Sequence, residues 1–313
     1  MKTSLIVPPR LAAGDRVALI SPASPLKDRP LLRLGKARLE QLGLEVVPGR
    51  HAMAQRGYLA GADEQRRQDL EAAFRDPDIK AIFCARGGYG VARVLAGFDP
   101  ALARRYPKAL VGFSDITVLH LALQRAGVVS FWGPMPCTGL GWSGFSVRGL
   151  ERVLMSAAPA GRLPFPRARR PKALRAGRAE GPLTGGTLSM IASSLGTPYE
   201  IETRGRIVFM EDVGEEPYRV DRMLVQLIAA GKLSDAAGFA VGSFTGADAR
   251  NCPAKKSLTM KQVFADHLVP LKRPILANVA VGHVPDQVTL PYGATARIDA
   301  GAGTLEILQS GVR

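Results

Sequence analysis

Cysteine, histidine and aromatic side chains are scarce in this chain of 313 residues, which has three Cys, four His and only 6% aromatics. Cys84, Cys137 and Cys252 stand far apart, are odd in number and show no metal-ligand spacing, so neither a disulfide framework nor a metal cluster is expected. They suit a reducing compartment. Cys84 closes an apolar run and reads as a buried thiol. A long apolar run is missing too. Met1–Arg10 carries one early cation and then too short an apolar segment for a secretory signal, and no stretch reaches the uncharged length of a membrane span. The chain is therefore read as cytoplasmic, with no membrane partner.

Acidic residues are in short supply, 27 Asp and Glu against 42 Lys and Arg, which leaves a net charge of +15. The excess is local. Nine basic residues fall between Arg148 and Glu180, opposed only by Glu151 and Glu180. Nucleic-acid binding would want aromatics among them or a recognisable module; prolines and alanines stand there instead. A solvated basic linker over 157–180 is expected, and no nucleic-acid partner, although such a field can draw in an anionic substrate. With 46% hydrophobic and 22% charged residues the composition is that of a folded globular protein, and the length suggests two domains.

Up to about residue 156 strand-like and helix-like segments alternate. Strands are predicted at 17–20, 44–47, 81–84, 109–113 and 128–131, with helices near 30–43, 63–75 and 116–124. This pattern predicts a parallel sheet with helices on its faces. From 181 to 313, strands near 206–210, 238–244, 276–282 and 294–308 follow a helix pattern at 217–230 less regularly. The last of them succeed one another without helices. The fold class is α/β: an N-terminal parallel-sheet α/β domain (1–156), a linker, and a C-terminal mixed-sheet α/β domain (181–313).

The chemistry starts at Gly112-Phe113-Ser114-Asp115-Ile116-Thr117. A buried strand ends at Ser114 and a helix begins directly after it. That places a hydroxyl at the carboxyl edge of the sheet, where open α/β folds bind ligands, with helix N-terminal amides beside it that favour a developing anion. This is the physics of a nucleophile elbow, without its second glycine; an N-cap serine would look the same. Arg86-Gly87-Gly88-Tyr89-Gly90 follows the preceding strand, so Gly88 and Asp115 can supply two backbone oxyanion donors. A tight turn is the plain alternative. A phosphate loop fits poorly, because neither Gly-x-Gly-x-x-Gly nor Gly-Lys-Ser/Thr spacing is present.

A serine nucleophile needs a base. His51 sits in a loop, His120 is carried away on the helix after Ser114, and His267 lies near a helix end. His283 closes the apolar run Ile275–Gly282 and is the best candidate. Its orienting acid is read as Glu211, the first polar residue after the buried run Ile207–Met210. Glu215 and Glu216 open the next helix, where carboxylates meet the dipole favourably.

Taken together, Arg86–Gly90, Gly112–Thr117, Gly185-Gly186-Thr187-Leu188-Ser189, Phe209-Met210-Glu211-Asp212 with the Glu215–Arg222 run, Gly242-Ser243-Phe244, Gly282-His283 and Thr289-Leu290-Pro291-Tyr292-Gly293 resemble the LD-carboxypeptidases. These S66 serine peptidases include muramoyltetrapeptide carboxypeptidase and the microcin C self-immunity peptidases. The likeness runs in order along nearly the whole chain. It implies Ser114 as nucleophile, His283 as base and Glu211 as orienting acid, with the Gly88 and Asp115 amides as oxyanion hole. It implies no cofactor and no metal, and a cytoplasmic homodimer acting in cell-wall recycling. The implied substrate is a small peptide, a murein tetrapeptide cut between an L-centre and D-alanine. Arg86 and Trp132 are candidate substrate-binding residues; Trp132 stands where many relatives carry a polar residue. Hydrolysis of peptidyl-nucleotide antibiotics is the alternative within the class, with Trp132 or Trp142 as a platform for the base. A nucleotide-binding regulator is the alternative outside it.

Overall fold

The computed structural model describes residues 5–250 and 256–313; Cys252 lies outside the described residues. The chain divides into two compact units. The first takes the chain up to Pro159 together with Thr289–Gly293 and Ser310–Arg313, and the second takes Ala160–Val288 and Ala294–Gln309.

The first unit is built from β1 (Arg16–Ile20), α1 (Arg29–Glu40), β2 (Glu45–Pro48), α2 (Asp63–Arg75), β3 (Ile79–Cys84), α3 (Val91–Leu95), α4 (Ala101–Arg105), β4 (Ala109–Gly112), α5 (Thr117–Arg125), β5 (Phe131–Trp132) and α6 (Gly144–Leu154). Its strands lie in the order β2-β1-β3-β4-β5, all parallel, and a short antiparallel strand, Leu290–Pro291 (β12), covers the far edge. In β1, β3 and β4 every position is buried except Arg16, which is half-buried, and Lys80. That follows from helices covering both faces, and it is why these strands read as unbroken apolar runs rather than alternating ones. Helix starts are marked chemically. Asp28 accepts the Leu31 N–H at 3.0 Å ahead of α1, and the Gln65 side chain reaches back to the Ala62 N–H at 2.9 Å ahead of α2. Because β1 pairs with β2 on one side and β3 on the other, the sheet changes winding direction at β1 and β3. The loops after these strands sit where open α/β sheets place ligands.

The second unit contains β6 (Gly161–Arg162), β7 (Lys172–Arg175), β8 (Arg178–Thr187), α7 (Leu188–Ser193), β9 (Ile207–Val213), α8 (Pro217–Ala229), β10 (Gly238–Thr245), α9 (Met260–Leu268), β11 (Ile275–Ala277), β13 (Thr295–Asp299) and β14 (Thr304–Ile307). Its eight strands run β6-β14-β13-β8-β9-β10-β11-β7. The central four, β8 to β11, are parallel, and the flanking pairs are antiparallel. The mixed sheet is as the sequence predicts.

Two expectations need correction. Residues 157–180 are not a free linker: they supply β6, β7 and the start of β8, all in the second unit's sheet. Edge strands need few apolar residues, so proline and arginine mask them. The run before His283 is also not one strand. Pairing of β11 ends at Ala277, and Asn278 turns into the left-handed region at φ 62°, so 278–283 is irregular. Among the described residues, no helix is long and apolar enough to cross a membrane.

Candidate active site

In the first unit, β4 delivers the chain to Ser114. Phe113 is still extended, but Ser114 has φ +65°, the left-handed region, before a short 3-10 turn leads into α5. A serine held there carries strain on the order of 1–3 kcal/mol. The turn lifts its side chain off the strand end, as an elbow requires. The Arg86–Gly90 loop packs against it, because β3 and β4 are neighbours in register, Phe83 opposite Val111. The closest approach is made by Gly87: a β-carbon there would fall 2.9 Å from Ser114 Cβ, 3.2 Å from its Oγ and 3.4 Å from the Asp115 nitrogen. Gly88, by contrast, turns its α-carbon toward Ser24.

Three side chains fix this loop. The Asp115 carboxylate accepts the Val91 N–H at 2.9 Å. Burial raises its pKa from 3.8 to about 6, against the opposing pull of its backbone hydrogen bonds and the Arg66 guanidinium. Arg66, fully buried on α2, donates one nitrogen to the carbonyls of Pro22 and Gly90 at 2.8 and 2.7 Å and another to Asp63. Ser24 accepts the Tyr89 N–H at 3.1 Å. Arg86 donates through Nε to the Gly87 carbonyl and through Nη1 to the Pro25 carbonyl, both at 3.2 Å. Trp132 is completely buried, its ring 5.5 Å from that of Phe113, so it supports the elbow from beneath. The face of Trp142 is met by the Arg38 guanidinium, 5.7 Å from its centroid.

In the second unit the carboxyl ends of β8 and β9 lie side by side, Thr187 opposite Glu211. Glu211 is fully buried, yet both carboxylate oxygens are engaged. Thr187 Oγ1 donates to Oε1 at 2.6 Å, and His283 Nδ1 lies 2.9 Å from Oε2. With Nδ1 set against Glu211 Oε2, Nε2 is the ring nitrogen turned away from the carboxylate. Gly282 has φ +119°, and a β-carbon there would fall 2.7 Å from Glu211 Oε2; only glycine lets the two side chains close. The Thr245 hydroxyl holds the His283 carbonyl at 3.2 Å, and Ser243 N–H holds that of Val281 at 2.9 Å. These bonds, not a strand, give His283 its rigidity; its side chain is 14% exposed. The neighbouring carboxylate takes a different task. Asp212 accepts the Ser189 N–H at 2.7 Å at the start of α7 and the Val213 N–H at 2.8 Å, and burial, aided by the Glu211 charge, lifts its pKa to about 6.

The other candidates are structural. His120 is wholly buried between the Ser130 hydroxyl at 2.8 Å and the Gly112 carbonyl at 2.9 Å, stacked on Tyr292, and burial lowers its pKa to about 4. His267 bonds Asp221 at 3.0 Å, tying α9 to α8. Glu215 pairs with Arg219 at 3.7 Å and Glu216 accepts the Arg250 N–H at 2.8 Å, so neither competes with Glu211 for His283. Among the described residues, no group of three or more His, Cys, Asp or Glu is placed to hold a metal ion.

Residues 17–133 match the LD-carboxypeptidase N-terminal domain and residues 180–298 match the LD-carboxypeptidase C-terminal domain. The chain belongs to the LD-carboxypeptidase family. It is 42% identical over 311 residues to the probable murein peptide carboxypeptidase of Bacillus subtilis, covering 97% of this chain and 95% of that one. Against the murein tetrapeptide carboxypeptidase of Pseudomonas aeruginosa it is 37% identical over 292 residues, 91% and 93% of the two chains. The muramoyltetrapeptide carboxypeptidase structure from Oxalobacter formigenes superposes with a TM-score of 0.79 at 28% identity, covering 93% and 97%.

Two residues of this LD-carboxypeptidase escape a reading of the sequence alone. Thr187 is one; its signal is only its place after two glycines at a strand end. Arg66 is the other. It sits in a helix whose sequence is mostly polar, and nothing local marks it as buried.

Proposed function

We propose that this chain releases D-alanine from a murein tetrapeptide by serine catalysis, with Ser114 as nucleophile, His283 as base and Glu211 as orienting acid. It is a serine-type LD-carboxypeptidase. His283 Nε2 takes the Ser114 proton while Oγ attacks the carbonyl of the L-centre. The carbonyl oxygen becomes an oxyanion, received by the backbone amides of Gly88 and Asp115. The C–N bond then breaks, the imidazolium proton passes to the departing amine, and D-alanine leaves. Water, deprotonated by the same imidazole, hydrolyses the ester and restores the serine. Glu211 stays ionised throughout, fixing the tautomer and stabilising the imidazolium.

The observation that carries this reading is the Glu211–His283 hydrogen bond at 2.9 Å, made by a fully buried carboxylate whose other oxygen is already engaged by Thr187. Such an arrangement is costly to build and has no obvious use in a plain structural pair. Support for the nucleophile is the left-handed backbone at Ser114. Support for the substrate is the likeness, over nine-tenths of the chain or more, to a probable murein peptide carboxypeptidase and a murein tetrapeptide carboxypeptidase. Arg86 and Trp132, read from the sequence as substrate contacts, take supporting parts in this scheme. The chain is assigned to cell-wall recycling as a cytoplasmic homodimer.

The test is free D-alanine released from a murein tetrapeptide by the wild type, Ser114→Ala, His283→Ala and Glu211→Gln. All three variants should lose about 10⁴-fold or more in kcat. Near-normal turnover by Ser114→Ala rejects the mechanism. Turnover of a peptidyl-nucleotide with none on the tetrapeptide rejects the substrate.

A further inference from the structure

A carboxypeptidase must recognise a free terminal carboxylate, and the triad supplies no cation for it. The basic run after Arg148 does. Within it, Arg167 and Arg170 are exposed, while Arg169 between them is half-buried. Its guanidinium donates through Nη1 to the Ser243 hydroxyl, and no carboxylate among the described residues pairs with it. Arg178, for comparison, is spent on Asp299. The segment is also anchored: Asn278, at the end of β11, donates its side-chain amide to the Arg170 carbonyl at 3.1 Å.

Ser243 fixes where this cation sits. In the β9–β10 ladder Val241 pairs with Met210 and Phe244 with Asp212, with a bulge between. Gly242 and Ser243 therefore stand across from Glu211, about 4.8 Å away in strand spacing. A β-carbon on Gly242 would lie 3.2 Å from Glu211 Cβ, and the Ser243 N–H bonds the carbonyl of Val281, two residues before His283. The guanidinium thus lies at the same carboxyl edge as the Glu211–His283 pair, one strand over. One of its five N–H donors is engaged by Ser243; a planar fork of the remaining donors matches a carboxylate.

We infer that Arg169, oriented by Ser243, is the specificity residue that binds the terminal carboxylate of the departing amino acid. The inference rests on the carboxypeptidase reading above. The experiment compares a murein tetrapeptide with its C-terminal amide, and with a tetrapeptide amidated only at its internal carboxylate, for the wild type, Arg169→Ala, Arg169→Gln and Arg169→Lys. The wild type should prefer the free terminal acid over the terminal amide. Arg169→Ala and Arg169→Gln should lose about 10- to 100-fold in kcat/KM on the acid, mainly through KM, while handling the terminal amide as the wild type does. Arg169→Lys should recover part of the preference. Arg169→Gln retains a donor toward Ser243, so it separates lost charge from lost packing. The inference is overturned if Arg169→Ala and Arg169→Gln keep the full preference for the terminal acid, or if their loss follows the internal carboxylate. If the wild type releases no D-alanine from the tetrapeptide, the underlying reading fails instead.

Discussion

The Thr187 hydroxyl donates to Glu211 Oε1 at 2.6 Å, on the oxygen that His283 does not use. Both residues are buried, so water cannot replace the bond. Thr187→Val keeps the shape but leaves a buried carboxylate oxygen short of a donor, a penalty of about 1–3 kcal/mol. The carboxylate then has reason to shift, and the imidazole with it. Thr187→Val should lower kcat about tenfold or more, with KM little changed, and reduce stability in urea unfolding. Thr187→Ser, which keeps the hydroxyl, should retain most activity.

At the elbow, function and stability pull against each other. Ser114 is left-handed at φ +65°, a conformation that glycine adopts freely and a side chain does not. Both Ser114→Gly and Ser114→Ala should be inactive. Ser114→Gly should nevertheless be the more stable of the two by about 1 kcal/mol, read from urea midpoints. Equal stability would mean that the turn is unstrained.

Stability should also respond to pH through Asp115. Its carboxyl is lifted from 3.8 to about 6 in the fold, chiefly by burial. Between these values the folded protein holds a proton that the unfolded chain has lost. Its contribution is therefore greatest at low pH and declines as pH rises through about 6. Two pKa units correspond to about 3 kcal/mol. Asp115→Asn removes this titration, so the stability of the wild type relative to the variant should fall by up to that amount between pH 4 and pH 7. A difference that stays constant across this range would show the carboxyl to be ionised throughout.

Much of this was legible beforehand because the chemistry is local. The helix predicted over 63–75 is α2 to the residue, since periodicity and caps lie within the segment. Ser114 could be picked out because its elbow is a strand end followed at once by a helix. Glu211 could be picked out because a carboxylate closing an apolar run needs a partner. What was not legible depends on distant chain. The apolar run 275–282 cannot reveal that Asn278 leaves the β region. The strands in 157–180 exist because Arg162 and Gly161 find Glu306 and Ile307, and Lys172 to Arg175 find β11. That Gly87 rather than its neighbour shows its α-carbon to Ser114 was equally hidden, because adjacent glycines look alike until the loop is folded.

Arg66 is the clearest case of a residue defined by others. Its guanidinium is enclosed, and its donors go to carbonyls at the ends of two separate loops, Pro22 after β1 and Gly90 after β3, and to Asp63. Asp63 is in turn held by Arg93 at 2.7 Å. Removing the charge strands two carbonyls in the interior. Arg66→Met should therefore destabilise the protein by about 1–3 kcal/mol for each stranded carbonyl. The effect should not stop at stability, because Gly90 closes the loop that packs Gly87 onto Ser114. A displacement near 1 Å at a reacting group can cost on the order of 100-fold. Under conditions where Arg66→Met is still folded, kcat should fall by about 10- to 100-fold. Arg93→Ala, which touches only the exposed side of the same network, should leave kcat within a few-fold of the wild type. Equal losses in the two variants would mean that Asp63, rather than the grip on Gly90, is what holds the loop.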